Sequence, residues 1–154
     1  MKNRNRYRLG FSVFGLMAFI FQELPCIPWL LWPPADNPLA NNPAANLLLG
    51  FLEQAGGILT IALLILITRK DTAKPGIKNR FFVAASVLLV IYYISWICYF
   101  SGMTGGWLIV IGLTAVVPLY YLSISLWMKN DFACITSLFF FVGHTCSNMI
   151  NYLL

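Results

Sequence analysis

Long apolar stretches alternate with short polar segments along the chain, and there are five such stretches. Each has about 20 residues, the length at which an α-helix crosses the hydrocarbon core of a bilayer. The pattern predicts membrane-spanning helices over residues 9–27, 47–67, 81–100, 107–128 and 132–152. Residues 1–154 are therefore expected to form one all-α integral membrane domain. Pro118 is expected to kink the fourth helix, because proline has no backbone N–H.

The composition agrees with this pattern. Of 154 residues, 60% are hydrophobic and 10% are charged. Soluble domains carry about 25% charged residues, and disordered chains combine low hydrophobicity with high charge. Both classes are therefore excluded. We expect a multi-pass protein of a bacterial plasma membrane, with the lipid bilayer as its first partner.

The positive charge is distributed unevenly, although the formal net charge is +5. A nucleic-acid-binding face would mix basic and aromatic residues on one soluble surface. The loops 28–46 and 101–106 contain no Lys or Arg, whereas the other polar segments contain all of them. Because basic loops stay on the cytoplasmic side, we predict a cytoplasmic amino terminus, an external carboxyl terminus and no nucleic-acid partner. The basic residues are Lys2, Arg4, Arg6, Arg8, Arg69, Lys70, Lys74, Lys78, Arg80 and Lys129.

The loop 28–46 is rich in proline and contains two tryptophans near its start, Trp29 and Trp32. Its prolines are expected to prevent the first helix from continuing beyond Pro28. Tryptophan is typical of the headgroup boundary. Two interpretations remain open: the loop lies along the outer surface, or it forms a lid over a site between the helices.

Three ionisable residues, Glu23, Glu53 and His144, fall within the apolar stretches. An ionisable group inside the bilayer costs at least ~2.5–3.5 kcal/mol, so each needs a reason. With about 1.5 Å of rise per residue, all three lie at a similar depth in the outer half of the membrane. Trp96 reaches the same layer, and the hydroxyl of Tyr92 could reach it.

Helical phase extends this polar layer. His144 and Asn148 are one turn apart on the fifth helix, and Gly50, Glu53 and Gly57 share a face of the second. Polar faces of this kind can simply hold a bundle together. Ionisable groups are not needed for that purpose, so we predict a ligand-binding site formed by Glu23, Glu53, His144, Asn148, Trp96 and Tyr92.

The sequence contains no nucleotide-binding, zinc-protease or serine-hydrolase motif. Its four cysteines include no CxxC pair. We therefore predict no cofactor and no metal site. The cysteines are expected to be buried free thiols, although Cys26 and Cys98 could form a disulfide at the outer ends of their helices.

Three functions fit this sequence. The first is binding or transport of a small cation, a proton or an amine through a polar chamber in the outer half of the bilayer. The second is an integral-membrane enzyme that acts on a lipid or isoprenoid by Glu/His acid–base chemistry. The third is a non-catalytic accessory subunit of a membrane complex. Whether the protein is an enzyme stays open, and homo-oligomerisation or a larger complex is possible.

Overall fold

A computed structural model describes residues 6–70 and 76–154, which are 75% helical. Four helices are long and apolar enough to cross a membrane, and a shorter apolar helix precedes them. In chain order the elements are β1 (Tyr7–Leu9), α1 (Val13–Glu23), α2 (Cys26–Leu31), a 3₁₀ turn (Pro38–Asn41), α3 (Leu47–Leu66), β2 (Ile67–Arg69), α4 (Arg80–Phe100), a π-helical segment (Leu108–Ala115) that continues into α5 (Val116–Met128), and α6 (Asp131–Leu153).

The four long helices agree with the second to fifth predicted spans, but the prediction of one unbroken first helix over residues 9–27 is wrong. Leu9 lies in β1, and α1 has only 11 residues before a bend at Leu24 and Pro25. Pro25 has no N–H to donate to the carbonyl of Phe21, one turn earlier. The hydroxyl of Tyr93 donates to that carbonyl instead, at 2.7 Å. The bend therefore has a specific partner on α4.

The helix resumes after the bend, which also corrects the expectation for Pro28. We expected the prolines to end helical structure there, yet α2 runs over Cys26–Leu31 and contains Pro28. Pro28 stands in the first turn of α2, where a backbone N–H has no helical partner to lose. The carbonyl of Pro28 still accepts from the N–H of Trp32 at 2.8 Å.

A short antiparallel pairing of β1 with β2 joins the start of the chain to the end of α3. Tyr7 is opposite Arg69 and Leu9 is opposite Ile67. The N–H groups of Gly10 and Ser12 then donate to the carbonyls of the last turn of α3. This pairing satisfies backbone groups that a helix end leaves without partners.

Glycines bring α3 and α6 together along their length. A Cβ added at Gly56 would lie 2.6 Å from the backbone nitrogen of Phe140, and one at Gly143 would collide with the backbone at Glu53. The predicted face of small and polar residues on α3 is present, since Gly50, Gly57 and Thr60 are buried. The Thr60 hydroxyl donates to that of Thr136 on α6 at 2.9 Å.

The π-helical segment and α5 together form the most buried of the long helices. The segment ends three residues before Pro118, and the bond from the N–H of Val116 to the carbonyl of Ile111 has the spacing of a π-helix. Proline crowds the carbonyl one turn before it, and the wider π winding relieves that contact. Pro118 therefore alters the helix type of the preceding turns, a form of distortion that the sequence did not indicate.

The bundle has two chemically different ends. The basic end comprises residues 6–9, 67–70 and 76–80 and the turn 128–131. It contains the basic residues that the structure describes, whereas Lys2, Arg4 and Lys74 lie outside the described residues. The loop end comprises residues 32–46, residues 101–107 and the end of α6, and its sequence contains no Lys or Arg.

Candidate functional site

A cavity of about 300 Å³ lies between the helices toward the loop end. Of the residues that line it, Glu23 is the one with a carboxylate, and no Lys or Arg is among them. The walls otherwise combine aromatic rings with amide, hydroxyl and imidazole groups. The lining residues are Gln22, Glu23, Cys26, Trp29, Leu39, Asn42, Ile61, Tyr92, Trp96, Leu113, Thr114, Val117, Tyr121, Phe140, His144 and Asn148.

The structure brings five of the six predicted site residues to this cavity. Its wall includes Glu23 from the end of α1, Tyr92 and Trp96 from α4, and His144 and Asn148 from α6. Glu53 is the exception, because it is not among the lining residues. It lies directly behind the wall and contacts His144.

The contact between Glu53 and His144 is a short hydrogen bond of 2.9 Å from Nδ1 to Oε1. Both side chains are partly exposed, at 21% for His144 and 26% for Glu53. Gly143 permits the close approach, and the ring of Phe140 stacks on the imidazole with centroids 5.0 Å apart. The carboxylate thus fixes the orientation of the ring, while Nε2 makes no hydrogen bond to another described residue.

A buried amide network supports the opposite wall, and sequence reasoning missed it. The Gln22 side chain is 5% exposed; it donates to the Tyr92 hydroxyl at 3.1 Å and accepts from the Tyr121 hydroxyl at 2.7 Å. The thiol of Cys26 lies 3.3 Å from the Tyr92 hydroxyl. Gln22 therefore links α1 with α4 and α5.

The signal for Gln22 was present in the helical phase of α1. Ser12, Gly15, Ala18 and Gln22 follow one another at helical spacing and are buried, whereas Glu23 is half-buried at the cavity. Glu23 was predicted as a site residue because it is ionisable. The spacing of small and polar residues along α1 would instead have indicated Gln22.

Trp96 combines deep burial with an unused donor. Its side chain is 6% exposed, and Nε1 has no hydrogen-bond partner among the described residues. Its ring lies 6.3 Å from that of Trp29 and 5.6 Å from that of Tyr99, between centroids. Most buried donors in folded proteins are paired, so this part of the wall is unusual.

The loop over residues 32–46 lies against the cavity. Leu39 and Asn42 line the cavity together with the helices. The Asn42 amide donates to Oδ1 of Asn148 at 2.8 Å, and the backbone of Ala45 donates to Ser147 at 2.8 Å. Further bonds connect the loop to Tyr99, Asn151 and Tyr152.

Among residues 6–70 and 76–154, the cysteines are unpaired and no metal-binding cluster is present. Cys26, Cys98, Cys134 and Cys146 are free thiols, so the disulfide that the sequence left open is not formed. Within residues 6–70 and 76–154, no group of three His, Cys, Asp or Glu side chains is arranged to hold a metal ion.

No protein-family model, curated protein or solved structure matches this chain. The cavity is therefore the feature from which a function can be inferred. Its wall combines one carboxylate, an oriented imidazole, hydrogen-bonding groups and aromatic faces.

Proposed function

We propose that the protein binds a small organic cation, a protonated amine, in the central cavity, with Glu23 as its counter-ion. The observation that carries this proposal is the position of one carboxylate on a cavity wall that contains no Lys or Arg. An isolated carboxylate away from water is costly, and a ligand cation would offset that cost.

The size and the walls of the cavity favour an organic cation over a bare proton or a monatomic ion. About 300 Å³ is at the lower end of the range for small-molecule sites and is roughly ten times the volume that one water occupies in the liquid. The rings of Trp29, Trp96, Tyr92 and Tyr121 are on its walls. Aromatic faces attract cations, most strongly where water is excluded.

Protonation of Glu23 gives this site a dependence on pH. A neutral carboxyl on the cavity wall no longer offsets the charge of a bound ammonium group. We therefore expect amine binding to weaken as the pH falls.

The charge on the ligand provides the sharpest test. tert-Butylammonium and tert-butanol have nearly the same shape and differ in charge. The purified protein in nanodiscs should bind the first at least about tenfold more tightly. Glu23→Gln should remove this preference, whereas Asp36→Asn should preserve it, because Asp36 is a loop-end carboxylate that pairs with Thr104 and does not line the cavity. Equal binding of both compounds by the parent would refute the proposal.

We further propose that the chain crosses the membrane five times, with α1 and α2 together as the first span and the basic end in the cytoplasm of a bacterial cell. The separation of the basic residues from the loop end supports this orientation. Gly76→Cys and Gly105→Cys form a matched pair, since a Cβ at either position meets no atom within 4 Å. An impermeant thiol reagent, with the parent as background, should label residue 105 from outside and residue 76 only after permeabilisation. The reverse pattern would invert the orientation.

The Glu53–His144 pair also favours a second function, acid–base catalysis on a lipid or isoprenoid. An imidazole held by a carboxylate, with its other nitrogen unpaired, is a suitable general base. In that case Glu53→Gln would abolish turnover of a membrane-soluble substrate and leave its binding largely intact. The binding function predicts that the same variant leaves tert-butylammonium binding largely unchanged, because Glu53 does not line the cavity. An accessory subunit would show neither effect.

A further inference from the structure

A groove of about 330 Å³ lies on the outside of the bundle, between α4 and the bend that joins α1 to α2. Its walls are apolar or aromatic, and two of the residues, Ile97 and Leu24, are well exposed at 65% and 41%. Trp96 belongs both to this groove and to the central cavity. The groove is formed by Leu24, Pro25, Pro28, Tyr93, Trp96, Ile97 and Phe100.

The partition between groove and cavity is only one layer of residues thick. Along the bend, the chain contributes alternately to the two spaces. Glu23, Cys26 and Trp29 line the cavity, whereas Leu24, Pro25 and Pro28 line the groove. Trp96 completes the partition from α4, with its ring 6.3 Å from that of Trp29 between centroids.

The α2 side of this partition has little buried surface. No residue of α2 is buried, and Pro25 and Pro28 contribute no backbone donors. The N–H of Ile27 reaches the Leu24 carbonyl at 3.3 Å, a long bond for a backbone pair. Side-chain bonds hold the bend on either side, from Tyr93 to the Phe21 carbonyl and from Trp29 to Asn37. A short segment with few buried contacts can rearrange between such fixed points at low cost.

We propose that the groove holds the hydrocarbon tail of an amphiphilic amine whose ammonium group occupies the cavity, and that Trp96 and the bend form the passage between them. This inference rests on the proposed function and identifies the ligand as a long-chain amine that enters from the bilayer. The shared residue selects this occupant, because a tail in the groove and a head beside Glu23 are then separated by a single side chain.

A second apolar groove on α4 provides a matched control. It has about 400 Å³, includes Val87 and shares no residue with the cavity. Ile97→Trp should fill the first groove and Val87→Trp the second, each at a residue more than half exposed. Binding of decylammonium and of tert-butylammonium is measured for the parent and for both variants in nanodiscs.

Ile97→Trp is expected to weaken decylammonium binding about tenfold or more, because the tail loses its space, and to leave tert-butylammonium within about twofold. Val87→Trp should change neither, and retained tert-butylammonium binding shows that the cavity is folded in each variant. If Ile97→Trp fails to bind either amine, Phe100→Trp is used to fill the same groove. Unchanged decylammonium binding, or an equal loss in Val87→Trp, would overturn the inference and leave the proposed function standing. If the parent protein binds neither amine, both this inference and the proposed function are refuted.

Discussion

The half of the bundle toward the basic end is densely packed, whereas the half toward the loop end surrounds a cavity. In the packed half, Gly15 contacts the backbone of Leu64, and the Ser125 and Ser137 side chains are fully buried with backbone carbonyls as partners. In the other half, side chains of similar polarity line about 300 Å³ of space. Both halves contain polar residues, and they differ in whether packed backbone or open space lies beside them.

This difference separates polar residues that hold the bundle together from polar residues that can bind a ligand. A serine that donates to the carbonyl one turn earlier has its partner within the same helix and needs nothing more. Glu23 is half-buried on the cavity wall and has no partner of opposite charge among the lining residues. An ionisable group of this kind, and not polarity as such, is the sign of a site in a membrane bundle.

The largest expected effect is a loss of stability when the packed half is overfilled. Gly15→Val adds a branched side chain against the Leu64 backbone, which cannot move without shifting α3. Overpacking of this kind costs about 1–3 kcal/mol. Val117→Leu enlarges a residue on the cavity wall and should cost less than about 1 kcal/mol. Reversible unfolding in mixed micelles measures both variants, and equal losses would contradict the contrast between the halves.

The caps of the antiparallel neighbours α3 and α6 should show the same contrast between the two ends of the bundle. Asn130 caps α6 and also donates to the carbonyls of Leu63 and Ile67, at 2.8 and 3.2 Å. Asn46 caps α3 through one hydrogen bond, which its side chain accepts from the backbone N–H of Leu49. Asn130→Ala should cost about 2 kcal/mol, because buried carbonyls lose their donors, and Asn46→Ala about 1 kcal/mol. A larger loss for Asn46→Ala in the same unfolding measurement would reverse the comparison.

A local effect is expected where the loop lies against the cavity. Asn148 is 1% exposed and connects Asn42 to the carbonyl of His144. Asn148→Ala should raise amide hydrogen exchange in residues 38–46 about tenfold, with little change in the packed half, because one bond that holds the loop is lost. Cys98→Ala, at a residue of α4 outside the cavity, is the control. Unchanged exchange would show that Asn148 does not hold the loop.

The smallest effect concerns the basic end at alkaline pH. Partial burial and the 2.6 Å bond to the Asp131 carboxylate raise the pKa of the Tyr7 hydroxyl above its ordinary value. A group with a raised pKa in the folded state contributes its stability below the ordinary value, near pH 10, and loses it as the pH rises through the raised one. Tyr7→Phe should therefore lower stability slightly at pH 8 and have a smaller effect above pH 11. A constant difference between the two proteins across that range would contradict this.

The long helices could be predicted from the sequence because length and hydropathy suffice to specify them. The contact of Glu53 with α6 also followed from helical phase and from glycines that allow close approach. The bend at Pro25 could not be predicted in detail, because the partner of the free Phe21 carbonyl is a Tyr93 hydroxyl 72 positions further along the chain. The pairing of β1 with β2 was missed because three-residue strands leave no periodic signal. Gln22 was missed because its partners lie on two other helices.

The central claim is that an ammonium group sits beside Glu23, and a single distance tests it directly. Solid-state NMR on the protein in bilayers can measure dipolar coupling between ¹⁵N-labelled tert-butylammonium and ¹³C-labelled glutamate carboxyl carbons. An ion pair with Glu23 requires the nitrogen to lie within about 4 Å of a carboxylate oxygen. We predict a coupling of that strength in the parent that disappears in Glu23→Gln and persists in Asp36→Asn. A bound amine with no coupling to a glutamate carboxyl, or a coupling that survives Glu23→Gln, would contradict the account.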